Sequence, residues 1–173
     1  MTNNDIQEIK YDVAVIGGGC AGICAAASAA KNGARTVLVE SSSTLGGDLL
    51  SGLPIDGCIS TCGEWIIGGM PKELFDMCDS YGGYVGSVFD RRNLWAVMIN
   101  PRVMGYAVIK LLKKYNVSLM PYTQAIDVVK DGDTIKEVIA VNKARCIKIK
   151  ADIFIDATGD GDIAYMAGVP YDM

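Results

Sequence analysis

Apolar and polar positions follow two different spacings along this chain, and together they predict alternating strands and helices. Short apolar runs at residues 13–16 and 36–39 are rich in β-branched side chains and too short for helices, so they predict buried parallel strands. Between them, residues 21–30 are almost all small and helix-favouring, and Gly33 follows where a helix would end. The start of the chain therefore predicts a strand, a helix and a second strand.

Helical spacing returns twice further along the chain. Pro71 is typical of a first helical residue and predicts a short helix that ends near residue 81. The pair Asn100-Pro101 predicts a cap and the start of a longer helix, in which apolar residues keep helical spacing as far as Tyr115. An apolar run at residues 117–122 then predicts a third parallel strand.

A period of two replaces the helical spacing in residues 124–150 and predicts three short antiparallel strands. Asp-Gly at 131–132 and Asn-Lys at 142–143 mark the turns between them. A further buried strand is predicted at residues 153–155, and a short helix at residues 163–167. The predicted fold class is therefore α/β, with a central parallel sheet, helices and a three-stranded antiparallel β-meander as the crossover.

Composition narrows the functions that are open to this chain. Its 173 residues correspond to about one domain, and the mean hydropathy of +0.25 supports a substantial core. The net charge of −4 argues against a nucleic-acid surface. Residues 1–10 form a polar leader without the apolar core of a signal peptide, and no later run reaches the roughly 20 apolar residues of a membrane helix. We expect a cytoplasmic protein that binds neither nucleic acid nor a membrane.

Three glycines after the first predicted strand give the first functional signal. Gly17, Gly19 and Gly22 spell G-x-G-x-x-G, and Glu40 ends the second strand 18 positions after Gly22. In such a unit the first glycine permits a tight turn, the second lets a pyrophosphate approach the backbone, and the third lets helix and strand pack closely. Glu40 is placed to accept hydrogen bonds from ribose hydroxyls, and its charge argues against the 2′-phosphate of NADP. The pattern predicts a dinucleotide-binding unit.

The cysteines give no sign of a metal site. The chain has six cysteines and no histidine, and none of the cysteines forms C-x-x-C. Cys20 and Cys24 lie one helical turn apart, and we expect them to be small packing residues under the glycine turn. Cys58 and Cys62 lie in a glycine-rich loop placed to face a cofactor, but we expect them to be reduced thiols rather than metal ligands.

A long stretch rich in Gly, Ser and Thr follows Glu40, and loops of this kind are usually functional. We expect residues 48–100 to form an insertion that faces the cofactor or the substrate. Residues 84–99 fit no element clearly. Arg91 and Arg92 have the chemistry to clamp a substrate carboxylate, although a solvated pair is the simpler interpretation, and Trp95 stands out beside them.

With these pieces placed, the chain resembles the FAD-dependent oxidoreductases of the glutathione-reductase-like Rossmann superfamily. The resemblance rests on IGGGCAGICAAASAAKNGARTVLVE, on LGG at residues 45–47, on IIGGMPKELFDM and on the closing FIDATGDGDIAYMAGVPYDM. It covers residues 11–173 and implies a Rossmann-like FAD-binding domain. In this family a meander replaces the crossover helix, so the resemblance implies FAD rather than NAD as the cofactor.

The resemblance also implies which residues bind the cofactor. The glycine turn corresponds to the pyrophosphate-binding glycines and Glu40 to the ribose-binding acid. A glycine pair, an Ala-Thr-Gly turn and the start of the meander correspond to further segments near the cofactor. It implies no catalytic residue and no metal ligand. The predicted cofactor-binding residues are Gly17, Gly18, Gly19, Cys20, Ala21, Gly22, Glu40, Ser41, Gly46, Gly47, Ala125, Ala157, Thr158 and Gly159.

Members of this family continue with a substrate domain, so the resemblance implies that the C-terminal substrate half is absent from these residues. We expect a small-molecule substrate, and either another polypeptide that supplies the missing half or self-association. Two alternatives remain open at this point. One is an NAD-binding dehydrogenase module, against which the meander and the ATGD stretch count; the other is a non-catalytic nucleotide-binding subunit.

Overall fold

The structure, a computed structural model, describes residues 6–90, 94–143 and 145–171. In this part of the chain a strand and a helix alternate at first, and the strands then follow one another directly. A 3₁₀ helix covers Gly47–Leu50. The strands are β1 (Ile6–Ile16), β2 (Thr36–Val39), β3 (Ile55–Ile59), β4 (Tyr84–Asp90), β5 (Leu94–Ile99), β6 (Ser118–Met120), β7 (Thr123–Asp131), β8 (Thr134–Asn142) and β9 (Arg145–Asp156), and the helices are α1 (Cys20–Lys31), α2 (Gly69–Ser80), α3 (Pro101–Lys114) and α4 (Asp162–Met166).

A six-stranded sheet in the order β6-β2-β1-β9-β8-β7 forms the centre of the fold. The pairs β6–β2, β2–β1 and β1–β9 are parallel, and β9–β8 and β8–β7 are antiparallel. This confirms the predicted parallel sheet and the predicted meander. The meander extends the same hydrogen-bonded sheet.

Both faces of the parallel strands are covered, because alternate side chains of β1 enter two different cores. Val13 and Val15 pack with the buried faces of α1, α2 and α3. Ala14 and Ile16 pack with buried residues of the meander and α4. Strands that are buried on both sides have continuous apolar runs, which is the reason why this segment was predicted correctly from sequence.

Strand β1 begins earlier than predicted, and β9 is longer. The predicted polar leader included Ile6–Lys10, but these residues pair in parallel with Cys146–Lys150 of β9. The Lys150 ammonium lies 2.9 Å from the Glu8 carboxylate, so ion pairing accompanies a ladder that a hydrophobic pattern does not reveal. Because β1 pairs along almost its whole length, the last predicted meander strand and the strand predicted at residues 153–155 are one strand, β9.

A separate three-stranded antiparallel sheet, in the order β3-β5-β4, was not predicted. It lies within residues 48–100, the stretch expected to be an insertion that faces the cofactor or the substrate. Gly57 and Gly86 have positive φ within β3 and β4, and the pairing of both strands is irregular, which breaks the period-two pattern. Trp95 lies on β5 and packs against Phe89 of β4, with ring centroids 5.3 Å apart. The predicted Arg91–Arg92 pair lies outside the described residues.

The helices form where the sequence predicts them, and none in the described residues is long and apolar enough to span a membrane. The Asn100 side chain accepts hydrogen bonds from the backbone N–H groups of Arg102, at 3.0 Å, and Val103, at 3.4 Å, which is the predicted cap of α3. Gly33 follows α1 with φ of 92°, in the left-handed region that ends many helices.

Glu73 ties three helices together. Its carboxylate accepts hydrogen bonds from Lys114 at 2.7 Å, from the Tyr115 hydroxyl at 2.6 Å and from Lys31 at 3.1 Å. These bonds, that of Lys114 first, lower the pKa of Glu73 to about 2. The ionised carboxylate therefore stabilises the fold above the ordinary pKa of a glutamate, and this contribution is lost as the pH falls towards 2.

We expect Glu73→Gln to lower the free energy of unfolding by about 1 kcal/mol at pH 7, since the network is partly solvated. The difference from the unsubstituted protein should shrink steadily below pH 4.5. Urea unfolding at several pH values measures both effects. Glu64→Gln, at an exposed carboxylate, serves as the control. A difference that grows as the pH falls would contradict the assignment of the low pKa to Glu73.

Candidate cofactor site

A cleft of about 420 Å³ opens at the carboxyl ends of β1 and β2. The start of α1, the 3₁₀ helix, the start of β7 and the turn after β9 close its sides. Ligands of open α/β sheets bind at this edge. The predicted site residues that line the cleft are Gly17, Gly18, Gly19, Cys20, Ala21, Glu40, Ser41, Gly47, Ala125, Ala157, Thr158 and Gly159.

Gly22 and Gly46, the other two predicted residues, do not line the cleft but hold its walls. A Cβ atom on Gly22 would lie 1.8 Å from the Gly17 carbonyl oxygen, so the glycine is needed for α1 to pack against the turn. The N–H of Gly46 donates to the Gly18 carbonyl oxygen at 2.8 Å. Both residues therefore shape the cleft from behind.

Further lining residues were missed by the sequence analysis. Asp48 lies in the 3₁₀ helix, Asp162 begins α4, and Thr123 and Gln124 begin β7. Asp162 lies three residues after Gly159 and ends the ATGDGD segment, so that segment carried a signal for it. The others come to the cleft through the sheet topology, which local sequence patterns do not report.

The N-terminus of α1 provides the polar groups at the base of the cleft. Gly19 is its N-cap residue and has no side chain to accept a hydrogen bond from the first-turn N–H groups. Space for a Cβ atom on Gly19 is open, since apart from its chain neighbours no heavy atom of the described residues lies within 4 Å. Free N–H groups, the helix dipole and an open approach to the backbone together suit a pyrophosphate.

Glu40 lies at the end of β2 and is held from both sides. Its Oε2 accepts from the Gly18 N–H at 2.7 Å, and its Oε1 accepts from the Ser42 N–H at 2.6 Å and the Ser41 hydroxyl at 3.2 Å. Partial burial raises the pKa of Glu40, but these hydrogen bonds outweigh it and keep the pKa below its usual value. The carboxylate is therefore ionised and fixed.

A network around Asp156 shapes the turn after β9. The Asp156 carboxylate accepts from the N–H of Thr158 at 3.1 Å, its hydroxyl at 2.7 Å and the N–H of Ala164 at 2.9 Å. The Thr158 hydroxyl oxygen in turn accepts from the Asp162 N–H at 2.9 Å. Asp156 thus holds the Ala157–Gly159 turn against the cleft and orients the start of α4.

Cys20 differs from the predicted packing residue. It is the first residue of α1, is exposed and lines the cleft, while Cys24 is half-buried one turn later. A hydrogen bond with Cys24 lowers the pKa of Cys20 to about 7, and the same bond together with burial raises the pKa of Cys24. Its exposure and its lowered pKa predict that Cys20 reacts more readily than Cys24.

We expect iodoacetamide to alkylate Cys20 with a rate that rises with pH and is half-maximal near pH 7, because only the thiolate reacts. Peptide mapping by mass spectrometry measures the rate at each cysteine. Saturating FAD should slow the alkylation of Cys20. It should not slow the alkylation of Cys62, an exposed thiol that does not line the cleft. Cys24→Ala should move the midpoint of Cys20 to higher pH, and an unchanged midpoint would contradict the role of Cys24.

Cys58 and Cys62 do not line the cleft, contrary to the position considered for them from sequence. Cys58 is buried in β3, and burial raises the pKa of its thiol, whereas Cys62 is exposed in the following turn. Within residues 6–90, 94–143 and 145–171, no group of three or more acidic, cysteine or histidine side chains could hold a metal ion. The expectation that neither cysteine is a metal ligand stays a prediction.

The cleft and sheet define a dinucleotide-binding protein of the flavoprotein type, in which a β-meander takes the place of a crossover helix. The sequence profile of the family described as FAD dependent oxidoreductase matches residues 12–173. The chain belongs to this family, and FAD is its cofactor. This confirms the resemblance inferred from sequence, and it removes the NAD-binding module as an alternative.

Two relatives that this chain matches are much longer than it. It is 29% identical over 169 residues to the tRNA uridine 5-carboxymethylaminomethyl modification enzyme MnmG of Sulfurihydrogenibium sp., a match that covers 89% of this chain and 25% of the relative. It is 36% identical over 94 residues to the enzyme of the same name from Phocaeicola vulgatus, covering 54% of this chain and 13% of that protein. The chain thus spans a quarter or less of these relatives.

Solved structures share the fold. A geranylgeranyl bacteriochlorophyll reductase-like protein from Thermoplasma acidophilum superposes with a TM-score of 0.67 at 17% identity, over 94% of this chain and 43% of that one. THI4 of Thermovibrio ammonificans gives a TM-score of 0.65 at 17% identity, over 93% of this chain and 64% of that one. At these identities the comparison establishes the architecture.

Proposed function

We propose that the chain forms the FAD-binding part of a flavin-dependent oxidoreductase that acts on a small molecule. The observation that carries this proposal is the cleft at the carboxyl ends of β1 and β2, where the open N-terminus of α1 faces the fixed Glu40 carboxylate. The helix N-terminus suits the pyrophosphate, and the carboxylate suits the ribose, of the adenosine diphosphate group that FAD contains.

The residues of this chain have binding and orienting roles in the proposal. The first-turn N–H groups of α1 would hold the pyrophosphate, Glu40 the ribose hydroxyls, and the turn held by Asp156 would lie along the cofactor. Bound FAD supplies the hydride or electron transfer of the reaction. The side chains described here contribute position and electrostatics to that chemistry.

We further propose that a second polypeptide surface covers part of this chain, either another protein or a second copy. Large apolar side chains are more than half exposed in several segments, and where such side chains adjoin in a patch they mark a surface that meets a partner. The clearest examples are Leu53, Ile66, Val85, Val88, Ile153, Val169 and Tyr171. A cytoplasmic location is also part of the proposal, supported by six unpaired cysteines of the kind that a reducing compartment maintains.

Turnover with an artificial electron acceptor, measured next to light scattering, tests the proposal. We expect the isolated chain to bind FAD, to self-associate and to turn over little substrate, because much of the flavin would be open to solvent. Addition of the second polypeptide that covers this chain should restore turnover. A monodisperse monomer with full FAD-dependent turnover would contradict the need for a partner. FAD binding without turnover in any assembly would favour a non-catalytic nucleotide-binding subunit.

A further inference from the structure

A second cavity lies apart from the cofactor cleft, between α2 and the start of β4. Its volume is about 220 Å³, smaller than the roughly 300–1,000 Å³ typical of sites for drug-sized ligands. It shares no lining residue with the cofactor cleft. Three aromatic and three charged side chains line it: Trp65, Phe75 and Tyr84, and Lys72, Asp76 and Asp79.

The three aromatic rings form an angled wall around this cavity. The Trp65 ring centroid lies 5.6 Å from that of Phe75 and 6.3 Å from that of Tyr84, with interplanar angles of 55° and 51°. Trp65 is 37% exposed and Tyr84 is half-buried, so parts of these two rings remain available to a ligand, whereas Phe75 is only 7% exposed. The face of an aromatic ring carries partial negative charge and attracts cations.

A cation of the protein itself already occupies the edge of this wall. The Lys72 ammonium lies 5.4 Å from the Trp65 ring centroid and forms an ion pair with Asp76. Asp79 lies three residues beyond Asp76, on the same side of α2, and also lines the cavity. Carboxylates therefore outnumber ammonium groups in the lining, and the cavity favours a further positive charge.

The kind of cation follows from the hydrogen-bonding groups. A primary ammonium brings three N–H donors, and aromatic faces satisfy these donors poorly. A fully methylated ammonium has no donor and presents an apolar surface around its charge, which matches a wall of three rings with carboxylates at its rim. We propose that this cavity binds a compact quaternary ammonium compound, which contacts the accessible ring surface of the wall and competes with the Lys72 ammonium.

Tetramethylammonium is the probe for a first experiment, because it carries the charge and shape without other groups. The chain has two tryptophans, so Trp95→Phe leaves Trp65 as the only one. In FAD-free Trp95→Phe protein, we expect a saturable change of Trp65 fluorescence with a Kd on the order of millimolar, in line with a small, partly open site. Sodium chloride at equal ionic strength and neutral tert-butanol are the controls, and neither should give saturation.

Matched variants test the role of each wall, with binding followed by ligand-observed NMR. Trp65→Leu should weaken tetramethylammonium binding about tenfold, and Asp79→Asn should weaken it about threefold. Lys72→Met should tighten binding about threefold, because it removes the competing ammonium. FAD affinity, measured by calorimetry, reports that each variant is folded, since none of these residues lines the cofactor cleft.

The outcomes separate the proposal from a purely structural role of the rings. Saturation by tert-butanol at the same concentration would show an apolar cavity and overturn the assignment of a cation site. Unchanged or weaker binding in Lys72→Met would overturn the competition. Binding of a trimethyl-lysine peptide at least a hundredfold tighter than tetramethylammonium would overturn the assignment to a small compound and identify a modified protein side chain as the ligand.

Discussion

Gly19→Val should leave the protein folded and lower its affinity for FAD at least about a hundredfold. Gly19 has φ of −73° and ψ of −175°, an extended conformation that any residue adopts, and apart from its chain neighbours no heavy atom of the described residues lies within 4 Å of its Cβ position. The new side chain therefore fits the fold but enters the cleft where the backbone must be approached. Losing the hydrogen bonds to an anion costs about 1.5–3 kcal/mol each, and two such bonds account for the expected loss.

Gly22→Val is the matched control, with the same added side chain three residues later. Its Cβ atom would lie 1.8 Å from the Gly17 carbonyl oxygen, a backbone atom that no side-chain rotation can move. We expect it to destabilise the fold by about 3 kcal/mol or more. The free energy of unfolding of the Gly19 variant should fall by about 1 kcal/mol at most, since valine is a poorer N-cap than glycine.

Urea unfolding without cofactor and FAD calorimetry distinguish the two variants. The expected pattern is a stable Gly19 variant that does not bind and an unstable Gly22 variant. If Gly19→Val binds FAD within threefold of the unsubstituted protein, the phosphate does not approach the backbone at Gly19. The motif assigns the second glycine to the pyrophosphate and the third to close helix packing, and the surroundings of Gly19 and Gly22 agree with that division.

Local patterns were sufficient for the parts of the fold that are buried on both sides or that turn tightly. Val13–Ile16 enters two cores, so no polar position interrupts its apolar run. The meander was predictable because Gly132 and Lys143 turn the chain with positive φ, and because burial alternates along β8 and the first half of β9, although β7 is irregular. The small sheet was not predictable, because Val85 and Val88 are exposed apolar residues in β4 and give no clear alternation.

The candidate site was predictable where one short segment supplies both the turn and the ligand-facing atoms. The glycine turn and Glu40 are examples, and they meet through the Gly18–Glu40 hydrogen bond. Asp48 was missed because the 3₁₀ helix reaches the cleft through a contact between Gly46 and Gly18. Cys20 was misjudged for another reason: its side chain leaves the helix at the first turn, where one face is open. Helical spacing alone does not distinguish that position from a packed one.

Glu40→Ala should weaken FAD binding about ten- to a hundredfold and FMN binding much less. A lost hydrogen bond to a charged group accounts for roughly 1.5–3 kcal/mol, and only FAD carries the adenosine ribose. The Glu40 carboxylate is already held by the N–H groups of Gly18 and Ser42, so it does not have to be ordered when a ribose binds. Calorimetry with FAD, FMN and ADP measures the effect, and ADP should lose as much affinity as FAD.

The same two hydrogen bonds give Glu40 a second role that the experiment must separate. Removing the side chain frees the Gly18 N–H and loosens the glycine turn. This would weaken the binding of every ligand that has a phosphate. Glu40→Gln keeps the size and one carbonyl oxygen, but its amide group would face a backbone donor, so we expect an intermediate loss for FAD. Because hydrogen bonds keep the pKa of Glu40 below its usual value, the affinity for FAD should stay constant down to about pH 4.5 and fall only below it. An equal loss for FAD and FMN in both variants would show that Glu40 supports the turn and does not bind the ribose.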